Sequence, residues 1–266
     1  MVEQQEVFAF PRIRRIDAHA PLRWLRAGWS DLLRAPVAGG FYGLVLALMG
    51  FALVRFSDKA AYALALVTGF LLVGPFLSMG LYDLSRRVER GERPRLAPTL
   101  TAWRANVPAI GLYAIILTLL MAVWIRVSVV VVALFFEGGM PSSATFLHDV
   151  MASEEGLVFL AAYIAAGAGF ALLVFATSAV SLPMLFDRSH MDTITAMIVS
   201  FGAVRSNFLP MLTWGALIAL IVALGFLTYY VGLIVAIPLI GHATWHAYRD
   251  LVAAEPDPNP RARRAE

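Results

Sequence analysis

Residues 208–248 read FLPMLTWGALIALIVALGFLTYYVGLIVAIPLIGHATWHAY, without one Asp, Glu, Lys or Arg. As a single helix this stretch would run about 60 Å, twice the thickness of a bilayer's hydrocarbon core. It is therefore read as two spans, near 208–225 and 228–247, with a turn inside GFLTYYVG. Four more apolar runs lie near 37–54, 60–82, 107–125 and 157–183. Splitting 208–248 makes the total six. The fold class expected is all-α: a polytopic membrane protein of six transmembrane helices with interfacial amphipathic helices.

Composition agrees. Hydrophobic residues make up 60% of the 266 positions, against roughly half in a soluble domain. Charge tests the even number of spans. Six spans place on one side the N-terminal segment with six arginines, the 83–106 loop with six more, Arg188, Arg205 and the tail bearing Arg261, Arg263 and Arg264. The other side holds only Arg55, Lys59 and Arg126. By the positive-inside rule the rich side is cytoplasmic, and five spans would send the basic tail outward. The expected location is the bacterial inner membrane, multi-pass, with both termini cytoplasmic. Residues 1–36 then form a cytoplasmic segment with an amphipathic interfacial helix, 37–248 the six-helix domain, and 249–266 a disordered cytoplasmic tail. Charges interrupt the N-terminal region where a signal peptide needs an apolar core, so the first span is expected to persist in the mature protein.

Several chemistries drop out. Without cysteine there are no disulfides and no thiolate metal sites or nucleophiles. The net charge of +3 comes almost wholly from arginine, and its topological distribution leaves no reason to expect a nucleic-acid partner. Between spans three and four, EGGMPSSATFLHDVMASEEG is acidic, with Phe146, Leu147, Val150 and Met151 on one face of a short helix expected on the outer surface. A solvated acidic loop accounts for His148, Asp149, Glu154 and Glu155 without a bound cation.

The chain also repeats a boundary: Arg34-Ala-Pro36, Arg104-Ala-Asn-Val-Pro108 and Arg205-Ser-Asn-Phe-Leu-Pro210 each precede an odd-numbered span. Before the first stands PLRWLRAGWSDLLR, an interfacial helix with Pro21 at its first turn; TLTAWRAN and TITAMIVSFGAVRSN are weaker counterparts. Pro75, Pro183 and Pro238 recur in the inner halves of the even spans and should kink them. Three parallel helical-hairpin repeats about an axis along the membrane normal would follow. Small residues at four-residue spacing, Gly39/Gly43/Ala47, Ala161/Ala165/Gly169 and Gly215/Ala219/Ala223, allow close helix packing, expected within the chain.

Two segments, PLRWLRAGWSDLLRAP and GPFLSMGLYDLSRRVERGERPRL, resemble a family of bacterial integral membrane proteins, domain of unknown function 2189. The anchors are Trp24, Gly28, Trp29 and Asp31, then Gly74, Pro75, Gly80, Leu81, Tyr82, Ser85, Arg86, Gly91 and Pro94, and the resemblance extends over most of the chain. It implies no established activity. A loose label borne by some members, cytochrome c oxidase subunit, implies haem.

The histidines weigh that label. A haem-copper core needs several intramembrane imidazoles, and only His242 and His246, one turn apart in the sixth span, qualify as cofactor ligands. Trp245 between them suits an aromatic membrane boundary as well. No catalytic constellation and no metal set is present, so no cofactor is expected, with haem as the alternative. Arg23, Trp24, Arg26, Trp29, Trp103 and Arg126 are the lipid or interface candidates. The function expected is a non-enzymatic accessory or assembly partner of membrane components. Alternatives are a small-solute or lipid transporter and a haem-binding respiratory subunit. The partners expected are the lipid bilayer and other membrane proteins or a second copy.

Overall fold

The computed structural model describes residues 10–55, 60–136, 150–151 and 153–254, with backbone only at 53–54 and 60–73. Ten α-helices follow one another among the described residues. They are α1 (Ala20–Arg34), α2 (Pro36–Arg55), α3 (Ala60–Glu89), α4 (Leu96–Thr99), α5 (Val107–Phe135), α6 (Glu154–Ser178), α7 (Ser181–Asp187), α8 (Thr193–Ser206), α9 (Phe208–Leu227) and α10 (Leu233–Leu251), with a 3-10 turn at Ala102–Asn106 before α5. No strand occurs among them; the one β-type contact is an isolated antiparallel bridge between Ile13 and Val252.

Residues 208–248 form a hairpin, α9 and α10, as their uncharged length requires. Its turn is tight enough to force Tyr229 and Tyr230 to φ values of 52° and 70°, a left-handed conformation rare outside glycine. Thr228 closes the turn: its hydroxyl donates to the Gly225 carbonyl at 2.8 Å and accepts from the Gly232 amide at 2.7 Å. Helix α10 starts at Leu233, later than the sequence reading placed the sixth span, and continues through Arg249 to Leu251. Residues 249–251 thus close a helix, and the expected tail cannot begin before 252.

Prolines and caps set other boundaries. Pro36 disfavours the helical conformation at Ala35, and the chain bends by 106° between α1 and α2. Pro183 removes the N–H that the Ala179 carbonyl would receive, and the long fourth helix breaks there into α6 and α7. Asp192 caps α8, its carboxylate accepting from the Thr195 amide at 2.9 Å.

Among the described residues, three helical stretches, Leu96–Phe135, Glu154–Asp187 and Phe208–Leu227, are long and apolar enough to cross a membrane, or four if the bent pair α1–α2 counts as one span. Large apolar side chains remain exposed along them, among them Leu119, Leu134, Ile164 and Leu220, as helices facing lipid require. Helix α5 is longer than the 107–125 span read from the sequence, running past Arg126 to Phe135. Of the surface helix expected through Phe146, Leu147, Val150 and Met151, the last two are described and are helical; Phe146, Leu147, His148 and Asp149 lie outside the described residues.

Helix α1 packs most extensively against α10, which also lies against α2 and α3. Gly28 makes this crossing possible: a Cβ there would stand 2.7 Å from the Ala243 amide nitrogen and 2.9 Å from the Leu239 carbonyl oxygen. Gly43 does the same between α2 and α10, where a Cβ would run into the Ile234 carbonyl. The Gly39/Gly43/Ala47 stripe is therefore consumed inside the chain. The Ala161/Ala165/Gly169 stripe is not: all three residues are exposed, and a Cβ at Gly169 would meet nothing within 4 Å.

The first and last described segments lie together on one face. The Arg14 amide donates to the Leu251 carbonyl at 2.8 Å and the Ala253 amide to the Arg12 carbonyl at 2.9 Å. Asn207 secures the same segment, accepting from the Ile16 amide at 2.9 Å and donating to the Arg14 carbonyl at 3.0 Å.

Candidate functional site at the junction of α1, α3 and α10

On this terminal face the polar side chains of α1, α3 and α10 meet. His242 is fully buried, and its Nδ1 lies 2.8 Å from the Ser85 hydroxyl of α3. Its Nε2 has no hydrogen-bond partner and faces Gly39, where an added Cβ would stand 3.4 Å away. One turn on, the His246 Nε2 lies 2.7 Å from an Asp31 carboxylate oxygen of α1, and Asp31 is only 3% exposed. The same two helices are joined again where the Trp24 indole N–H donates to Asp250 at 3.0 Å.

A second layer surrounds these contacts. Asp83, also buried, accepts from Arg86 at 2.8 Å and Arg87 at 2.9 Å. The Trp245 indole N–H donates to Glu89 at 3.1 Å, and Arg249 reaches the same carboxylate at 3.2 Å. The Tyr248 hydroxyl donates to Asp187 at 2.9 Å and accepts from Arg188 at 3.2 Å. At the edge, Arg23 holds the exposed Asp17 carboxyl below its usual range, with the His19 amide assisting.

Chemically this is bracing. Serine, histidine and aspartate are all present, yet Ser85 pairs with one imidazole and Asp31 with the other, and Ser85 is fully buried. A substrate cannot reach such a hydroxyl. Nor does this geometry suit a haem: His242 is enclosed between Ser85 and Gly39, and Asp31 holds the Nε2 of His246. Among the described residues no three His, Cys, Asp or Glu side chains stand where they would hold a metal ion.

The interface candidates separate. Trp24 is 2% exposed and sits edge-on to Trp214 at 5.6 Å, so it belongs to the core instead of the lipid surface. Trp29 is 46% exposed and, with Leu22, Arg26 and Leu33, forms an outward stripe on α1. Trp103 is half-buried, its indole N–H on the Leu100 carbonyl at 3.0 Å and the Arg104 guanidinium 5.4 Å from its ring centre. Arg126 is exposed, on the side of α5 opposite Leu117, Met121 and Trp124. Those three, with Gly167, Phe170, Ala171 and Val174 of α6, line an apolar groove of about 370 Å³. Arg126 therefore does not serve that groove.

Ser85 lies eleven residues from Gly74 within the quoted GPFLSMGLYDLSRRVERGERPRL segment, and its partner His242 lies in an apolar helix 157 positions away. Residues 63–187 match the model of a family described as a predicted integral membrane protein, DUF2189. The apolar helices above fit that description. The match is shorter than the resemblance suggested: Gly74 to Pro94 fall inside it, whereas Trp24, Gly28, Trp29 and Asp31 lie before it. No curated protein and no solved structure matches the chain.

Sequence reasoning singled out Asp31 and Ser85 only as family anchors and His242 and His246 only as ligands. Pairing them required the α1–α10 crossing at Gly28. Asp250 carried no sequence signal of its role.

Proposed function

We propose that this is a six-span protein of the bacterial inner membrane, with both termini cytoplasmic, acting as a non-enzymatic accessory or assembly partner of other membrane components. The observation that carries this reading is the division of labour on the terminal face. Its buried polar groups brace one another, while α1 turns Leu22, Arg26, Trp29 and Leu33 outward. An apolar and basic stripe on a helix bent 106° from α2 suits the headgroup layer, where each arginine contributes about 1 kcal/mol toward anionic lipid. Arg23 and Trp103 would support it on the inner side and Arg126 on the outer.

Six spans, α2, α3, α5, α6 with α7, α9 and α10, are favoured by the meeting of Ile13 with Val252, since termini on one face require an even number of crossings. Three parallel repeats are favoured by the short helices that precede each hairpin: α1, α4 with its 3-10 turn, and α8.

The test is isolation of the full chain in mild detergent with cross-linking and mass spectrometry, in parallel for the native chain and Arg26→Glu/Trp29→Ala. A stable membrane-protein partner lost in the double variant is the expected result. A protein recovered alone would count against the reading, co-purified solute or lipid would favour transport, and a Soret band would favour haem. Reporter fusions after Arg95, Ser153 and the C-terminus should place only Ser153 outside; an outside C-terminus would overturn six spans.

A further inference from the structure

Helix α8 turns its apolar side outward. Ile194, Ile198 and Phe201 are each at least half exposed, and with Arg205 they recur at helical spacing on one stripe. The opposite side is buried and carries polar groups: the Ser200 hydroxyl donates to the Ala176 carbonyl at 2.9 Å and accepts from the Val180 amide at 3.3 Å. A helix of 14 residues reaches about 21 Å, short of a hydrocarbon core about 30 Å thick. The stripe therefore does not belong to a span, and apolar side chains grouped on one exposed face mark an interaction surface.

The position of α8 says what covers it. Thr193 donates to the Ala109 carbonyl at 2.8 Å and Asn106 to the Met191 carbonyl at 2.9 Å, which ties the start of α8 to the start of α5. At the other end only Asn207 separates α8 from α9. Helix α8 thus runs between the points where two apolar spans begin, and beyond Arg205 the exposed apolar surface resumes at Phe208, Leu209 and Leu212 of α9. Charge is added by the N-terminal segment, which lies against the last turn of α8: Asn207 holds the Ile16 amide and the Arg14 carbonyl, and a Cβ at Gly202 would stand 2.8 Å from the Ile13 side chain. Arg14 and Arg15, both exposed, are thereby brought to the end of the helix that carries exposed Arg205. Among the described residues no carboxylate pairs with any of the three; Asp17 is taken by Arg23 and Asp250 by Trp24.

We infer that the outward stripe of α8, together with Arg205, Arg14 and Arg15, is a docking surface for anionic phospholipid at the membrane boundary. Acyl chains cover Ile194, Ile198 and Phe201, continuing the lipid contact of α9, and the arginines meet the phosphate and headgroup charge, for which a guanidinium offers paired donors. A helix lying in the interface with one apolar face and basic residues beside it binds anionic bilayers in this way. The surface is separate from the α1 stripe. It rests on the reading of α5 and α9 as spans and not on the accessory role.

Lipid quenching tests it, with a fluorophore on Phe201→Cys, the sole cysteine of the full chain, in phosphatidylcholine vesicles. These are doped with phosphatidylglycerol or phosphatidylcholine that carries a nitroxide near the headgroup end of its acyl chain. Both lipids should quench, phosphatidylglycerol more strongly, and in Arg14→Gln/Arg205→Gln that preference should fall by about fivefold for each arginine neutralised. Arg126→Gln, far along α5, should leave it unchanged; an equal loss there would reduce the effect to net charge and overturn the site. Equal quenching by the two lipids without the arginine changes, or a preference unchanged in the double variant, would also overturn it. Phe201 unquenched while a label on Leu220→Cys in α9 is quenched would remove the surface and leave the spans standing. Leu220 unquenched as well would overturn the spans, and the surface with them.

Discussion

Asp31 shows how much one side chain determines on the terminal face. Its carboxylate is buried, its partner His246 belongs to another helix 215 positions away, and α1 otherwise meets α10 through backbone contact at Gly28. Asp31→Ala should therefore cost about 1–3 kcal/mol, the penalty for stranding a buried hydrogen-bonding group, read as a lower unfolding midpoint in detergent. An unchanged midpoint would mean that the pair contributes nothing. Asp192, outside the spans, makes a different case. Its carboxyl is held below the usual carboxylate range, first by the Thr195 amide. A lowered folded pKa means the cap stabilises fully above the unfolded value and fades as pH falls through the lowered one. Asp192→Ala should lose about 1 kcal/mol at neutral pH, and native and variant midpoints should converge in acid. A gap that persists there would argue against the carboxylate cap.

At the scale of helices, spacing between backbones decides what substitutions are tolerated. Gly28 and Gly43 each face backbone atoms of α10, which cannot move aside as a flexible side chain would. Gly28→Ala or Gly43→Ala should destabilise by about 1–3 kcal/mol through overpacking. Gly40, in the same helix as Gly43, has nothing within 4 Å of an added Cβ. Gly40→Ala should be neutral or slightly stabilising, since alanine favours helix. Comparing the three variants by thermal unfolding checks the crossing itself; equal effects at Gly40 and Gly43 would refute it. Small-residue spacing was visible in the sequence for α2 and α6 alike. Only the contacts distinguish the stripe used against α10 from the exposed one on α6.

For the whole molecule, the meeting of the first and last described segments is the most exacting constraint. Ile13 and Val252 form the kind of antiparallel pair whose own amides do not bond to each other, with Cα atoms roughly 4.5 Å apart, inside the range a disulfide spans. The native chain has no cysteine, so Ile13→Cys/Val252→Cys introduces the sole pair. Mild oxidation in isolated membranes should cross-link it, seen as a mobility shift reversed by reductant; no cross-link would place the N-terminal segment elsewhere. Sequence alone determined the all-helical membrane class, the 208–248 hairpin and the α1 helix, because apolar length, proline position and helical periodicity act locally and leave a readable pattern. It also exposed His242 and His246, but as a suspected ligand pair. Only tertiary structure assigned them to Ser85 and Asp31 and moved Trp24 into the core. These outcomes depend on which helices cross and how closely, and residues far apart in the chain carry no mark of the partner that packing will bring them.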